Sequence, residues 1–332
     1  MERRKLGNSD LEISAIAFGA WAIGGWMWGG NDASDSLKAL DASIAEGMTT
    51  IDTASVYGFG YSEELVGKAI RGRRNRVELL TKFGMNWESG EGSFFFSSKD
   101  NDGKPVDIYR FASSKKVISD CESSLKRLGT DYIDLFQIHW PDKSTPVYET
   151  MEALSKLMSQ GKIRAAGVCN YPSELLAEAS NVILLASNQV PYSMVRREIE
   201  TDVVPYCLKN NIGILAYSPI QRGLLSGKIK PGHKFNEGDT RPDTPYYKEP
   251  NFSQILTLVG KLEKIAMEKG CTASQLVLSW TIHQPGITCA LAGARNAAQA
   301  KENSKASGIS LSSDEINLIN SSIKETKIDL TI

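Results

Sequence analysis

The sequence predicts an α/β chain folded as a closed (β/α)8 TIM barrel. Three observations carry this. About eight short runs rich in β-branched or aromatic residues recur along the 332 residues, each followed by a turn and then an amphipathic stretch. Several of these runs are apolar without strict alternation, as expected of parallel strands covered on both faces. The chain also lacks the glycine fingerprint that an open, doubly wound sheet carries after its first strand. The segment at that place reads AWAIGGWMWGG, and GFGYSE at 58–63 has Glu63 where a third glycine belongs.

The elements follow in order. RRKLGNSDLEISAIAFG opens with two short strands around Asn8-Ser9-Asp10, a hairpin placed to plug one mouth of the barrel. The barrel strands are expected at 14–19, 48–54, 77–83, 132–140, 163–170, 184–190, 212–219 and 287–294. DSLKALDASIAEG is a helix closed by Gly47. SEELVGKAIRG opens with Ser62 as N-cap, followed by acidic residues. SSKKVISDCESSLKRLG, VYETMEALSKLMSQG, SELLAEAS and TDVVPYCLKNN supply the next helices, and SSDEINLINSSIKETK supplies a C-terminal one. Two connections are long loops: 84–113 after the third strand and 221–252 after the seventh. Both leave the carboxyl end of a strand, the catalytic face of such barrels, and their aromatic residues suit a substrate pocket. The whole chain, 1–332, reads as one barrel domain.

Composition narrows the function. The net charge of −1 gives no bulk field to draw nucleic acid or an anionic membrane, and RGRRNR at 71–76 reads as a solvated helix end. MERRKLGNSD lacks the apolar core of a signal peptide, and no window approaches the roughly 18 apolar residues of a membrane span. Cys121, Cys169, Cys207, Cys271 and Cys289 are scattered without a CxxC, as reduced thiols of a cytoplasmic protein would be. His139, His233 and His283 are too far apart to give metal-ligand spacing, so no metal is expected.

The chemistry gathers at the strand ends. Asp52 lies near the end of the second strand with Tyr57 just beyond it, Lys82 near the end of the third, and His139 at the end of the fourth. Each alone has a structural explanation: a turn cap, a loop aromatic, a lysine reaching solvent, a core histidine. Together they are harder to dismiss, because Asp and Lys inside apolar strands are costly unless paired. An Asp52–Lys82 pair resolves that cost, and Lys82 beside Tyr57 is expected to lower the phenol pKa. Such a set protonates a carbonyl oxygen while another group attacks the carbon. No Ser, Cys or Asp stands there with a base of its own, so the attacking species is expected to be a hydride from a cofactor. The later strand ends offer a place for it. Asn170 and Gln189 can read a carboxamide, Tyr217 can stack on a nicotinamide, and Ser218, Arg222 and Lys228 suit pyrophosphate. Arg295, Gln299 and Asn303 open a helix where a 2′-phosphate and adenine would bind.

With these residues in view, DTASVYGFGYSEELVGKAI, LLTKFG, DYIDLFQIHWPD, GKIRAAGVCNY, AYSPIQRGLLSGK and AGARNAAQAKEN together resemble the aldo-keto reductase superfamily, in order from about residue 3 to residue 320. SPIQRGLLSGK and GARNAAQ resemble most its bacterial branch, which also contains the potassium-channel β subunits. The resemblance implies NADPH bound without a doubly wound sheet, with NADH also accommodated. It places the family's catalytic tetrad on Asp52, Tyr57, Lys82 and His139, with Tyr57 as general acid and Asp52 also beside the cofactor. It adds Gly19, Ala20, Trp21, Pro219, Gln221 and Gly293 to the cofactor or substrate wall. Where the family usually has GVSN this chain has GVCN, so Cys169 offers the carboxamide a weaker donor than a hydroxyl. Cys169 is either an inert packing thiol or one whose oxidation loosens the cofactor.

Three activities are compatible with these residues. The first is reduction of aldehydes or ketones, or oxidation of the corresponding alcohols or sugars. The second is a cofactor-binding, redox-sensing subunit with little turnover. The third is an isomerase or hydrolase forming a Schiff base on Lys82, which leaves the tyrosine, the glutamine and Arg295 without a role. Substrate class is open: Trp26, Trp28, Trp87, the FFF at 94–96 and Trp140 can wall an apolar pocket, while acidic and amide groups in the same loops would suit a sugar.

Overall fold

The computed structural model describes residues 1–331. Its thirteen strands begin with the hairpin β1 (Arg3–Lys5) and β2 (Glu12–Ser14), followed by β3 (Ile16–Gly19), β4 (Thr50–Asp52), β5 (Glu78–Phe83), β6 (Met85–Asn86), β7 (Ser93–Lys99), β8 (Pro105–Arg110), β9 (Ile133–Ile138), β10 (Ile163–Cys169), β11 (Ser187–Pro191), β12 (Gly213–Tyr217) and β13 (Ile287–Gly293). Eight of them, β3, β4, β5, β9, β10, β11, β12 and β13, pair in that order and close into a parallel barrel. All eight expected barrel strands are present, with trimmed ends. The second keeps only Thr50–Asp52, and the sixth starts at Ser187, leaving out Leu184, which is 73% exposed.

Helices cover the barrel: α1 (Ala33–Ala45), α2 (Tyr61–Ile70), α3 (Ser114–Leu128), α4 (Val147–Ser159), α5 (Ser173–Ser180), α6 (Val203–Asn210), α7 (Asn251–Glu268), α8 (Ala273–Ile282), α9 (Ala297–Ser304) and α10 (Ser313–Lys324). A large apolar core lies between them and the strands, in which Phe18, Leu40, Phe136, Leu154 and Trp280 are fully buried. A second, smaller core fills the barrel interior, where Leu6, Leu11 and Ile13 of the hairpin pack on Leu80, Leu135 and Leu215. The hairpin therefore plugs the amino-terminal mouth and leaves the carboxyl mouth for the site. Among the described residues, no helix is long and apolar enough to cross a membrane.

Two expectations are corrected here. Ser62 is not the cap of α2. Gly60 takes that place in a left-handed conformation, and the Ser62 hydroxyl, buried in the first turn, donates to the Ala20 carbonyl at 2.8 Å and pairs with Thr53 Oγ1 at 2.9 Å. The acidic residues after it serve packing too: buried Glu63 accepts from Thr81 Oγ1 at 2.6 Å and from Arg127 Nε at 2.6 Å. Segment 84–113 is not an irregular loop either. It folds into an antiparallel sheet in the order β6-β8-β7, standing beside the barrel mouth. Asp100 forms the β7–β8 turn by accepting from the backbone N–H groups of Asp102 and Lys104, both at 2.9 Å.

Candidate active site

Strand register brings the polar side chains together. Gly19 pairs with Asp52, Asp52 with Leu80, Lys82 with Gln137, and Cys169 with Gln189. The alternation of side chains along each strand turns Asp52, Lys82, Gln137 and Gln189 into the barrel's uppermost interior layer. Lys82 Nζ donates to Asp52 Oδ1 at 2.6 Å, to the Thr53 carbonyl at 2.8 Å and to the Tyr57 hydroxyl at 3.3 Å. All three ammonium donors are thus used by a side chain that is fully buried. Asp52 Oδ2 accepts from Gln189 Nε2 at 2.8 Å and more weakly from Gln137 Nε2 at 3.5 Å. Gln137 and the Thr53 carbonyl were not anticipated from sequence. The signal for Gln137 was available, because it lies two residues before His139 and so shares its face of the strand.

Tyr57 stands above this layer. Its ring stacks on Trp21 at 5.9 Å and meets His139 edge-on at 5.6 Å. Its loop lies against the loop carrying Trp21, backbone on backbone. A Cβ at Gly58 would run into the Gly24 carbonyl, and one at Gly24 into the backbone of Tyr57. The glycine at 58 therefore serves this loop-to-loop contact, at φ 65°.

Burial sets the electrostatics. Loss of solvent pushes the Tyr57 phenol up to about 12, although the Lys82 ammonium pulls it back. The expected net depression is thus not found, because desolvation outweighs the ion, and the phenol holds its proton at neutral pH. Burial alone would lower Lys82, but Asp52 and, less, Tyr57 raise it above its ordinary value and keep it charged. Burial and then Lys82 hold the His139 imidazole well below its ordinary value, so it is neutral, and its buried Nδ1 has no hydrogen-bond partner among the described residues. Burial likewise raises the Cys169 thiol, which is 1% exposed, and this favours the inert alternative.

A single cavity of about 410 Å³ runs from this cluster along the barrel mouth. Its wall holds Asp52, Tyr57 and His139 together with Gly19, Trp21, Cys169, Asn170, Gln189, Tyr217, Ser218, Pro219, Arg222, Lys228, Gly293, Arg295, Gln299 and Asn303. Two expected wall residues lie behind it. Ala20 is fully buried and braces the neighbouring strand, its N–H donating to the Asp52 carbonyl at 2.8 Å. Gln221 is turned away, its amide oxygen accepting from Ser193 Oγ at 2.9 Å. Strained backbone gathers at the same mouth. Of the seven non-glycine residues with positive φ, six (Met27, Phe59, Asn170, Ser218, Gln221 and Arg222) belong to its loops, as strain tends to at functional sites.

Segment 221–252 folds over the cavity. Trp28 and Asp239 form an isolated antiparallel bridge, Thr240 N donates to the Met27 carbonyl at 3.3 Å, and Arg222 Nη2 donates to the same carbonyl at 3.0 Å. A family model described as the aldo/keto reductase family matches residues 15–324. The chain belongs to that family. The aldo-keto reductase YhdN of Bacillus subtilis (strain 168) is 39% identical over 332 residues, 99% of this chain and 96% of that protein. The NADH-specific methylglyoxal reductase of Escherichia coli (strain K12) is 32% identical over 325 residues, 96% of this chain and 97% of that protein. The structure of the glycerol dehydrogenase AKR11B4 from Gluconobacter oxydans superposes with a TM-score of 0.87 at 36% identity, covering 99% of this chain and 98% of that one.

Aldo/keto reductases are oxidoreductases that use nicotinamide cofactors on small carbonyl compounds. In this aldo/keto reductase the cavity wall fits such a group. Gln189 spends its amide N–H₂ on Asp52, while among the described residues its oxygen takes no hydrogen bond. Asn170 is oriented by donating to the His139 carbonyl at 3.1 Å and accepting from the Tyr217 hydroxyl at 3.1 Å. Arg222 stays charged, although burial pulls it down to about 10, and its buried Nε has no partner among the described residues. Arg295 has no carboxylate partner among the described residues, whereas Lys228 is paired with Glu302 at 2.6 Å. Asn303 is fixed by donating to the Gly293 carbonyl at 3.1 Å.

Proposed function

We propose that the protein reduces aldehydes or ketones with NADPH, and with NADH less well, using Tyr57 as general acid. The observation that carries this is the buried Asp52–Lys82–Tyr57 chain opening, beside neutral His139, into the cavity that holds Asn170, Gln189 and Arg295. When bound, the cofactor supplies a hydride. Neutral His139 and protonated Tyr57 both donate to the carbonyl oxygen and polarise it. As charge develops on that oxygen, Tyr57 passes its proton to it, and Lys82 stabilises the phenolate left behind. Asp52 holds Lys82 charged and aimed, with Gln189 and Gln137 bracing the carboxylate. In the opposite direction the phenolate takes the proton of an alcohol or sugar hydroxyl. Arg295, without a carboxylate partner among the described residues, is the cation for a 2′-phosphate and supports the preference for NADPH.

The Schiff-base alternative is disfavoured, because a lysine held charged by a buried carboxylate is not an amine nucleophile. The relatives named for glycerol and methylglyoxal agree with carbonyl–alcohol chemistry of this kind. Coenzyme oxidation by the wild type, followed by absorbance with NADPH and with NADH against aromatic aldehydes, methylglyoxal, aldoses and ketoses, tests the reading. Turnover with at least one class is expected. Tight cofactor binding without turnover on any of them would favour the redox-sensing subunit instead.

A further inference from the structure

The wall opposite the tetrad is built by a defect in a strand. In a regular strand, consecutive side chains point to opposite faces. In β7 the register slips: Phe94 pairs with Tyr109 and Phe96 pairs with Ile108, so Phe95 is an extra residue in a β-bulge. The bulge turns both Phe95 and Phe96 onto the cavity wall, while Phe94 faces away and is 55% exposed. The two rings extend an aromatic surface. Phe96 stacks on Trp26 at 6.2 Å with the planes 13° apart, Phe95 lies 5.2 Å from Trp140, and the two phenylalanines meet edge-on at 5.0 Å. Met27 and Met85 complete this end of the cavity.

The amide groups of Asn86 and Asn101, the Asp107 carboxylate and the Ser98 hydroxyl of the same segment are committed elsewhere, and the Arg110 guanidinium, whose buried Nε has no partner among the described residues, lies 4.7 Å from the Phe95 ring centroid. Asn86 spends its amide on the Ser89 carbonyl, Ser89 Oγ and the Glu91 carbonyl. Asn101 donates to the Gly24 carbonyl at 3.2 Å, Asp107 accepts from Ser97 Oγ at 2.6 Å, and Ser98 Oγ accepts from Trp26 Nε1 at 3.1 Å. None of the acidic or amide side chains of segment 84–113 lines the cavity. A substrate held at the tetrad thus finds two donors for its carbonyl oxygen, Tyr57 and His139; the indole N–H groups of Trp21 and Trp28, unpartnered among the described residues, belong to the same wall, but the end built by Trp26, Met27, Met85, Phe95 and Phe96 offers apolar, largely aromatic surface. Further hydroxyls would be buried there without partners, which is costly, whereas a flat apolar group stacks favourably.

Building on the reading of the site as a carbonyl reductase, we infer that this wall selects carbonyl compounds carrying an aryl or similarly flat apolar group over polyhydroxylated ones, with Phe95, supplied by the bulge, as a specificity-determining residue. The test compares kcat/KM for benzaldehyde and for D-glyceraldehyde in the wild type, Phe95→Ser, Phe95→Leu and Phe94→Ser. Calorimetric titration of the protein–NADPH complex with benzamide and with glycerol, neither of which turns over under those conditions, runs beside it. The wild type is expected to favour benzaldehyde by about 100-fold. Phe95→Ser should lower that ratio about 10-fold, Phe95→Leu should keep most of it, and Phe94→Ser should leave it unchanged. The change in ratio between variants cancels the hydration of the free aldehydes. Equal or better use of glyceraldehyde, or a ratio unmoved by Phe95→Ser, overturns the inference and leaves carbonyl reduction standing. Binding of benzamide but not glycerol, with neither aldehyde reduced and no turnover of methylglyoxal, aldoses or ketoses either, upholds the apolar wall and overturns the reductase reading. Failure on both counts overturns both.

Discussion

Lys82→Met tests the structural role of the buried ion pair. Lys82 and the Asp52 carboxylate lie 2.6 Å apart with side chains 0% and 3% exposed. Removing the ammonium strands a carboxylate in the barrel interior, with only the amide donors of Gln189 and Gln137 left to it. Breaking a buried pair in this way costs about 3–5 kcal/mol. At about 2.1 cal/mol/K of unfolding entropy per residue, a chain this long loses about 1.5 °C in Tm per kcal/mol, so the variant should melt about 4–7 °C lower. Asp52→Leu in the Lys82→Met background should recover much of the loss, because it removes the stranded charge. Urea denaturation of the wild type, the single variant and the double variant reads both effects. A deficit below about 1 kcal/mol in Lys82→Met would refute a charged, buried pair.

Other perturbations probe neighbouring groups. The unfolded chain protonates His139 near pH 6.5 while the folded chain keeps it neutral, so between its depressed folded value and 6.5 the unfolded state binds the extra proton and stability falls as pH falls. His139→Gln should remove roughly 1 kcal/mol per pH unit of that acid sensitivity, and parallel profiles in urea would contradict the neutral assignment. Arg295→Ala should weaken NADPH binding about 10- to 100-fold and NADH binding far less, as removal of a charge-assisted contact would; equal losses would remove the 2′-phosphate role. Cys169, buried with its thiol pKa raised, should resist iodoacetamide in the native protein at pH 8. Rapid alkylation at that position, located by mass spectrometry, would revive the redox alternative.

The fold was legible because a parallel barrel repeats one signal. Each strand is buried on both faces, so its apolar run survives in the sequence, and the hairpin around Asn8-Ser9-Asp10 carries its own turn chemistry. That Asp52, Tyr57, Lys82 and His139 lie together was legible because Asp52 and Lys82 interrupt apolar runs where only a mutual pair removes the cost. What escaped depended on three-dimensional competition. Ser62 looked like an N-cap, but its hydroxyl found the Ala20 carbonyl across the barrel rim. The β7–β8 hairpin was hidden because FFFSSK does not alternate cleanly, and the bulge at Phe95 is the reason it does not. The Tyr57 phenol was expected to be lowered, since sequence reveals its charged neighbour and not the depth of burial that outweighs it. Gln189 was read as a cofactor contact alone, although its amide N–H₂ belongs to Asp52.

The most direct test of the central claim sets wild type beside Tyr57→Phe, with kcat/KM for carbonyl reduction and the Kd for NADPH measured on the same preparations. If Tyr57 delivers the proton and does not hold the cofactor, loss of the phenolic proton should cost about 10²- to 10⁴-fold in kcat/KM while the Kd stays within about twofold. Reduction that survives Tyr57→Phe at near wild-type rate would contradict the account and move the acid to another residue.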